Sequence, residues 1–216
     1  MRILLLIKKN KLYSNQICKI VKKSDLNVKI VSVDNKKKIS KFLNYNNYDY
    51  LISYLCPFKI QKKILDKINI ASINFHPGPP KYPGIGCFNY AIFNKDKIFG
   101  VTCHYMNEKI DNGKIIKTRT FKLSKNETIR SISNKSYKSL YLLFKYIFNK
   151  IKKNKNLDEK NNLKWSKKTY SKKKFNLFLN YKIKDKKLER YLRATTYMNY
   201  PSPNISIGKY VLQKKY

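Results

Sequence analysis

Two short stretches of the chain carry side chains whose types and spacing suit the handling of a carbonyl group. The first is Asn74-Phe75-His76, which ends the apolar run Ile70–Phe75 and enters Pro77-Gly78-Pro79-Pro80-Lys81-Tyr82-Pro83-Gly84. Residues i and i+2 of a strand project to the same side, so an amide NH₂ and an imidazole stand together and can donate to one oxygen. Such a pair suits the oxyanion that forms when a nucleophile adds to a carbonyl. The second stretch, Gly100 to Ile116, reads as a strand, a loop holding Asp111, and a return strand. A carboxylate brought near His76 would favour the imidazolium by charge pairing and could accept a proton, directly or through water. Asp111-Asn112-Gly113 also has the composition of a hairpin turn. His104 reads as a strand histidine hydrogen-bonded near the site. The cysteines, Cys18, Cys56, Cys87 and Cys103, form no CxxC pair; a nucleophilic Cys87 or Cys103 would need a base partner. No metal is expected, because histidines and cysteines show no ligand spacing.

The elements that must position these groups follow from apolar periodicity. Ile3–Ile7 is a short continuous apolar run, hence a buried strand. Ile17, Ile20 and Val21 have helical spacing, Val28–Val33 alternates as a strand, and a helix is expected from Ile39 to about Tyr45. Tyr50–Tyr54 is a third strand; Ile60, Ile64, Leu65 and Ile68 again have helical spacing; Ile70–Phe75 is a fourth strand. This rhythm predicts an α/β fold with a mostly parallel sheet, and ligands collect at the carboxyl ends of such strands. Then come a Pro/Gly loop over 77–86, a short helix over Phe88–Phe93, strands over Phe99–Tyr105 and Lys114–Phe121, and a long helix over Glu127–Ile151. The expected division is a catalytic domain over 1–151, a Lys/Asn-rich linker over 152–162 and a less regular C-terminal extension over 163–216.

Asn74-x-His76-Pro77 with its Pro-rich loop resembles the central motif of the folate-dependent formyltransferases. Gly100-Val101-Thr102-x-His104 followed by Asp111-x-Gly113-x-Ile115-Ile116 resembles their second motif, in the right order and at a fitting separation. The resemblance covers roughly residues 1–150. It implies a Rossmann-like core and 10-formyltetrahydrofolate as one-carbon donor. Asn74 and His76 would stabilise the oxyanion, and Asp111 would charge or orient His76 and relay the proton lost by an amine. Pterin contacts would fall at Phe58, Ile60 and Leu65 and at Tyr105, Met106, Asn107, Glu108 and Asp111. One departure is Gly78-Pro79-Pro80, where the family usually carries a Leu-Leu-Pro run.

For the acceptor the resemblance implies an amine, with the amino group of a nucleotide-linked sugar preferred. A glycinamide ribonucleotide acceptor is disfavoured, since Lys8-Lys9-Asn10-Lys11 has no glycine where that group carries a Gly-rich phosphate loop. The alternative is a methionyl-tRNA formyltransferase-like enzyme: Arg193-Ala194-Thr195 resembles the block at that group's second domain, although about 60 residues after the long helix leave little room for such a domain. Acceptor contacts are expected at Pro79, Tyr82, Gly84, His104, Trp165, Arg193 and Tyr197. The net charge of +37 would suit tRNA, and a second alternative is a basic nucleic-acid-binding protein without catalysis. However, the cations are 44 Lys against 5 Arg and are spread along the chain, which reads as a solvated surface rather than a recognition patch. Apolar runs are too short for a membrane span or signal-peptide core, and the cysteine usage fits a reduced, cytoplasmic protein, with a homodimer as one expected assembly.

Overall fold

The computed structural model describes residues 1–33, 47–158, 162–168, 170–171, 185–197, 205–207 and 210–212. The helix expected at 39–45 lies outside them. Strands β1 (Arg2–Ile7), β2 (Asn27–Ser32), β3 (Tyr48–Tyr54), β4 (Ile68–His76), β5 (Ile98–Tyr105) and β6 (Ile115–Lys122) form one sheet in the order β2-β1-β3-β4-β5-β6. The first four pair in parallel, while β5 runs antiparallel to β4 and to β6. The helices are α1 (Ser14–Lys22), α2 (Lys62–Leu65), α3 (Cys87–Phe93), α4 (Ile129–Lys152) and α5 (Asp185–Thr195). A short pair, β7 (Ile205–Ile207) and β8 (Tyr210–Leu212), lies in the tail.

Alternation along the strands divides the sheet into two faces with different work. Ile3, Leu5, Ile7, Ile52, Ile73, Phe75, Val101 and Cys103 point to one face and form a single buried cluster with Leu140, Leu143, Phe144, Ile147 and Phe148 of α4. These α4 residues recur at helical spacing, so one stripe of the helix covers the sheet. Its start is fixed by a capping box: Ser131 N–H donates to the Thr128 hydroxyl, and Thr128 N–H donates to the Ser131 hydroxyl. On the opposite face, Leu4, Leu6 and Leu51 pack with Ile60, Phe58, Leu65 and Met106. Next along that face stand Ser53, Asn74, Thr102 and His104, whose strand partners place them together.

Three expectations change. The helical spacing over Ile60–Ile68 yields only the single turn α2, because Ile68 pairs with Tyr48 and is drawn into β4. Asp111-Asn112-Gly113 is not a two-residue hairpin turn; it ends the longer connection from Met106 to Lys114. The tail contains an ordered helix, α5, whose buried Tyr191 and Ala194 pack on α3, with Asn89 Nδ2 donating to the Ala194 carbonyl at 2.6 Å. Phe144 is fully buried, with its ring 5.3 Å from that of Phe75, 5.8 Å from Tyr54 and 5.5 Å from Phe148. Phe144→Ala is expected to lower unfolding free energy by about 3–5 kcal/mol, read by urea titration.

Candidate active site

The site is built where β4 and β5 leave the sheet. β4 sends Ile73 and Phe75 into the core and Asn74 and His76 to the other face. Asn74 pairs across the antiparallel ladder with His104, and His76 with Thr102. Asp111 closes the group from the β5–β6 loop. Its Oδ2 lies 3.1 Å from His76 Nδ1 and accepts from Gly84 N–H at 2.8 Å. Its Oδ1 lies 3.3 Å from His104 Nε2 and accepts from Asn74 Nδ2 at 3.3 Å. Asp111 holds a left-handed φ of 43°, a conformation that costs an L-residue roughly 1–2 kcal/mol. Gly113 completes the loop: a Cβ there would stand 1.9 Å from the Tyr105 carbonyl oxygen.

Neighbours with no chemistry of their own set the orientations. The Ser53 hydroxyl donates to Asn74 Oδ1 at 2.7 Å, which turns the amide so that its NH₂ faces His104 Nε2 at 3.1 Å. His104 Nδ1 donates to the Tyr105 carbonyl at 2.7 Å. The Pro77–Gly78 corner is held by two hydroxyls: Ser136 donates to the Pro77 carbonyl and Thr102 to that of Gly78. Sequence reasoning missed Ser53, Thr102 and Ser136. A period-two reading of β3 and β5 would have put Ser53 and Thr102 on the Asn74 face, but nothing local marks Ser136.

His76 is buried between two acceptors, with Nδ1 against Asp111 and Nε2 3.1 Å from the Tyr82 carbonyl oxygen. Burial pulls its pKa below that of a free imidazole; the Asp111 charge works the other way. A neutral ring can satisfy one of the two acceptors and a second proton satisfies the other, so the ring has a place ready for a proton. For Asp111, burial alone would raise the pKa, but His76 and His104 beside it outweigh that and hold the carboxyl at about 2. The Cys87 thiol is pushed up to about 12 by burial and that of Cys103 well above its ordinary value, so neither offers a thiolate.

The other expected contacts divide. Gly84 is in the site through its N–H, and His104 through its ring. Trp165 joins them edge-on, its ring centroid 4.9 Å from that of His104 and 5.9 Å from that of His76. Phe58, Ile60, Leu65 and Met106 share the apolar cluster beside the site, and Met106 N–H bonds the Ser72 carbonyl, two residues before Asn74. Tyr105 is half-buried, whereas Asn107 and Glu108 are exposed. Pro79 is half-buried on the loop. Tyr82 is a correction: its side chain is fully buried and hydrogen-bonded to Asp96 and Asn94, so only its carbonyl faces His76. Arg193 is another: its guanidinium bonds the Lys125 carbonyl, past the end of β6, rather than any group of the Asp111 cluster. Tyr197 packs against the cluster of Tyr82, Cys87 and Ala91. Among the described residues no helix is long and apolar enough to cross a membrane.

An unfolded aspartate titrates near 3.8 and folded Asp111 at about 2. The unfolded chain therefore takes up this proton first as pH falls. The stabilisation is present above about pH 4 and is lost toward pH 2, up to roughly 2 kcal/mol. Wild type should lose stability to urea more steeply across that window than Asp111→Asn.

The pattern of the family described as Formyl transferase matches residues 35–141, which contain Asn74, His76, His104 and Asp111. A methionyl-tRNA formyltransferase from Buchnera aphidicola is 31% identical over 186 residues, covering 77% of this chain and 57% of that protein. The chain spans 20–57% of the length of the curated relatives it matches. A 4-N formyltransferase from Francisella tularensis has the same fold, with a TM-score of 0.80 at 20% identity over 99% of this chain and 96% of that one. So does an N-formyltransferase from Helicobacter canadensis, solved with folinic acid and dTDP-3-aminofucose, with a TM-score of 0.73 at 21% identity over 96% and 84% of the two chains. With its mostly parallel six-stranded sheet and its matched Asn-x-His and Asp segments, the chain is similar to the formyl transferase family over residues 35–141.

Proposed function

We propose that the protein is an N-formyltransferase that moves the formyl group of 10-formyltetrahydrofolate to the amino group of a nucleotide-linked sugar. The observation that carries this reading is the convergence of Asn74, His76 and His104 on the Asp111 carboxylate, four groups drawn from two strands and a loop. The donor site fits what is beside them. Phe58, Ile60, Leu65 and Met106 offer apolar walls for a flat ring, and the buried Ser72 hydroxyl, without a partner among the described residues, lies on the Asn74 face. Those residues would hold the donor, which supplies an electrophilic formyl carbon when bound.

The chain's own groups then act on charge and protons. The acceptor nitrogen forms its bond to the formyl carbon while the carbonyl oxygen takes up negative charge. Asn74 would reach that oxygen by giving up its 3.3 Å bond to Asp111, and His76 by giving up the contact of its Nε2 with the Tyr82 carbonyl. The proton leaving the nitrogen passes to the His76–Asp111 pair, and the same pair returns a proton to the departing folate nitrogen. The products are a formamide and tetrahydrofolate. Support for a sugar acceptor comes from the Helicobacter neighbour, whose likeness runs through 96% of this chain, the tail segment included. Methionyl-tRNA is the second reading, carried by the Buchnera relative and the charge of +37.

Asn74→Ala is expected to cost ~10²–10³ in rate with the fold intact, and Asp111→Ala at least as much; near-normal turnover in both would overturn the mechanism. Saturating 5-formyltetrahydrofolate should raise Tm, and an unchanged Tm would count against the donor. Incubation with 10-formyltetrahydrofolate and UDP-, dTDP- and GDP-amino sugars or Met-tRNA, read by mass for one formyl unit, tests the acceptor. A gain confined to the tRNA would replace the sugar reading with the second one.

A further inference from the structure

The tail does more than extend the chain, because its described residues are bonded to both loops of the site. Ser166 N–H donates to the Pro80 carbonyl at 2.9 Å, and Tyr170 N–H to that of Pro83 at 3.0 Å. Ile85 N–H donates to the Tyr170 carbonyl at 2.7 Å. These bonds bracket Gly84, whose N–H holds Asp111. Contact at Gly84 is so close, at a φ of 95°, that a Cβ would stand 2.3 Å from the Tyr170 carbonyl oxygen. On the other loop, Trp165 Nε1–H donates to the Gly113 carbonyl at 2.7 Å, two residues past Asp111. Lys114, next in the chain, pairs with Asp158 at 2.6 Å.

Trp165 is thus tied at its nitrogen to the loop that carries the carboxylate, while its ring meets both imidazoles edge to face, at 85° to His104 and 66° to His76. We propose that Trp165 is a positioning residue: its N–H fixes the Asp111 loop, and its ring keeps water from the His76 and His104 edges. The role in turnover rests on the formyl-transfer reading; the shielding of the rings does not. A ring engaged in this way is turned toward the site rather than outward for stacking on a nucleotide base. Among the described residues, the charged or titratable groups that face His76 are Asp111 and His104, with Cys87 behind Gly78; on the tail side Lys164 is exposed. None of these is altered by substituting the tryptophan.

The chain has two histidines, both in the site, so two imidazole Cε1–H signals report on it without turnover. Trp165→Phe keeps a ring and loses the N–H; Trp165→Ala loses both. In Trp165→Ala, water reaches the rings, burial weakens, and the His76 midpoint should move upward from its depressed wild-type value. In Trp165→Phe that midpoint should stay, while kcat falls about tenfold or more with the KM for the folate donor unchanged, the mark of lost alignment rather than lost binding. Titrations in Trp165→Ala that match wild type would overturn the shielding, and a wild-type kcat in Trp165→Phe would overturn the positioning. Should Trp165→Ala fail to fold, the Trp165→Phe pair of readings decides: a shifted midpoint or an unchanged kcat sinks the proposal. A shifted midpoint in Trp165→Ala with no turnover in any variant, wild type included, would uphold the shielding and instead reject formyl transfer.

Discussion

Everything in the site hangs on one buried carboxylate. Asp111 is 7% exposed and accepts from or faces a backbone N–H, an amide and two imidazoles. A buried charge survives only when such partners replace the water it lost. The partners come from three places in the chain, so the same charge that orients the histidines also holds the Pro-rich loop against the β5–β6 loop. The left-handed backbone at Asp111 is tolerated for the same reason: its surroundings over-determine it.

The sheet supplies the framework by giving its two faces different work. One side of β4 and β5 is packed under α4 and is rigid because it is close-packed. The other side carries hydroxyl, amide and imidazole groups in register across strand partners. Fixing the backbone from beneath leaves little freedom above, so the polar groups need few ligands of their own to stay aligned.

Much of this was legible in the residues. The pair Asn74 and His76 follows from the two-residue period of a strand, and β1 from the apolar run Ile3–Ile7. Asp111 was legible from the order of two motifs, not from its surroundings, and its turn was misjudged because the loop is set by Tyr105 and Gly113 rather than by local turn preference. What was not legible depends on contacts distant in sequence. Ser53 orients Asn74 across 21 positions and Ser136 holds Pro77 across 59. In α5, Leu188, Tyr191, Leu192 and Thr195 stand at helical spacing, so the helix was open to a period reading; its docking of Tyr191 and Ala194 on α3 was not. Arg193 was expected to meet the acceptor because a guanidinium suits a diphosphate, yet its bond to the Lys125 carbonyl follows from where α5 docks.

The short backbone bridge between Gly84 and Tyr170 ties the segment after the long helix to the carboxylate. Replacing that segment would also remove the clasp that keeps Gly84 on Asp111, so grafting a foreign tail onto this core would need the Tyr170 carbonyl and its spacing carried over with it.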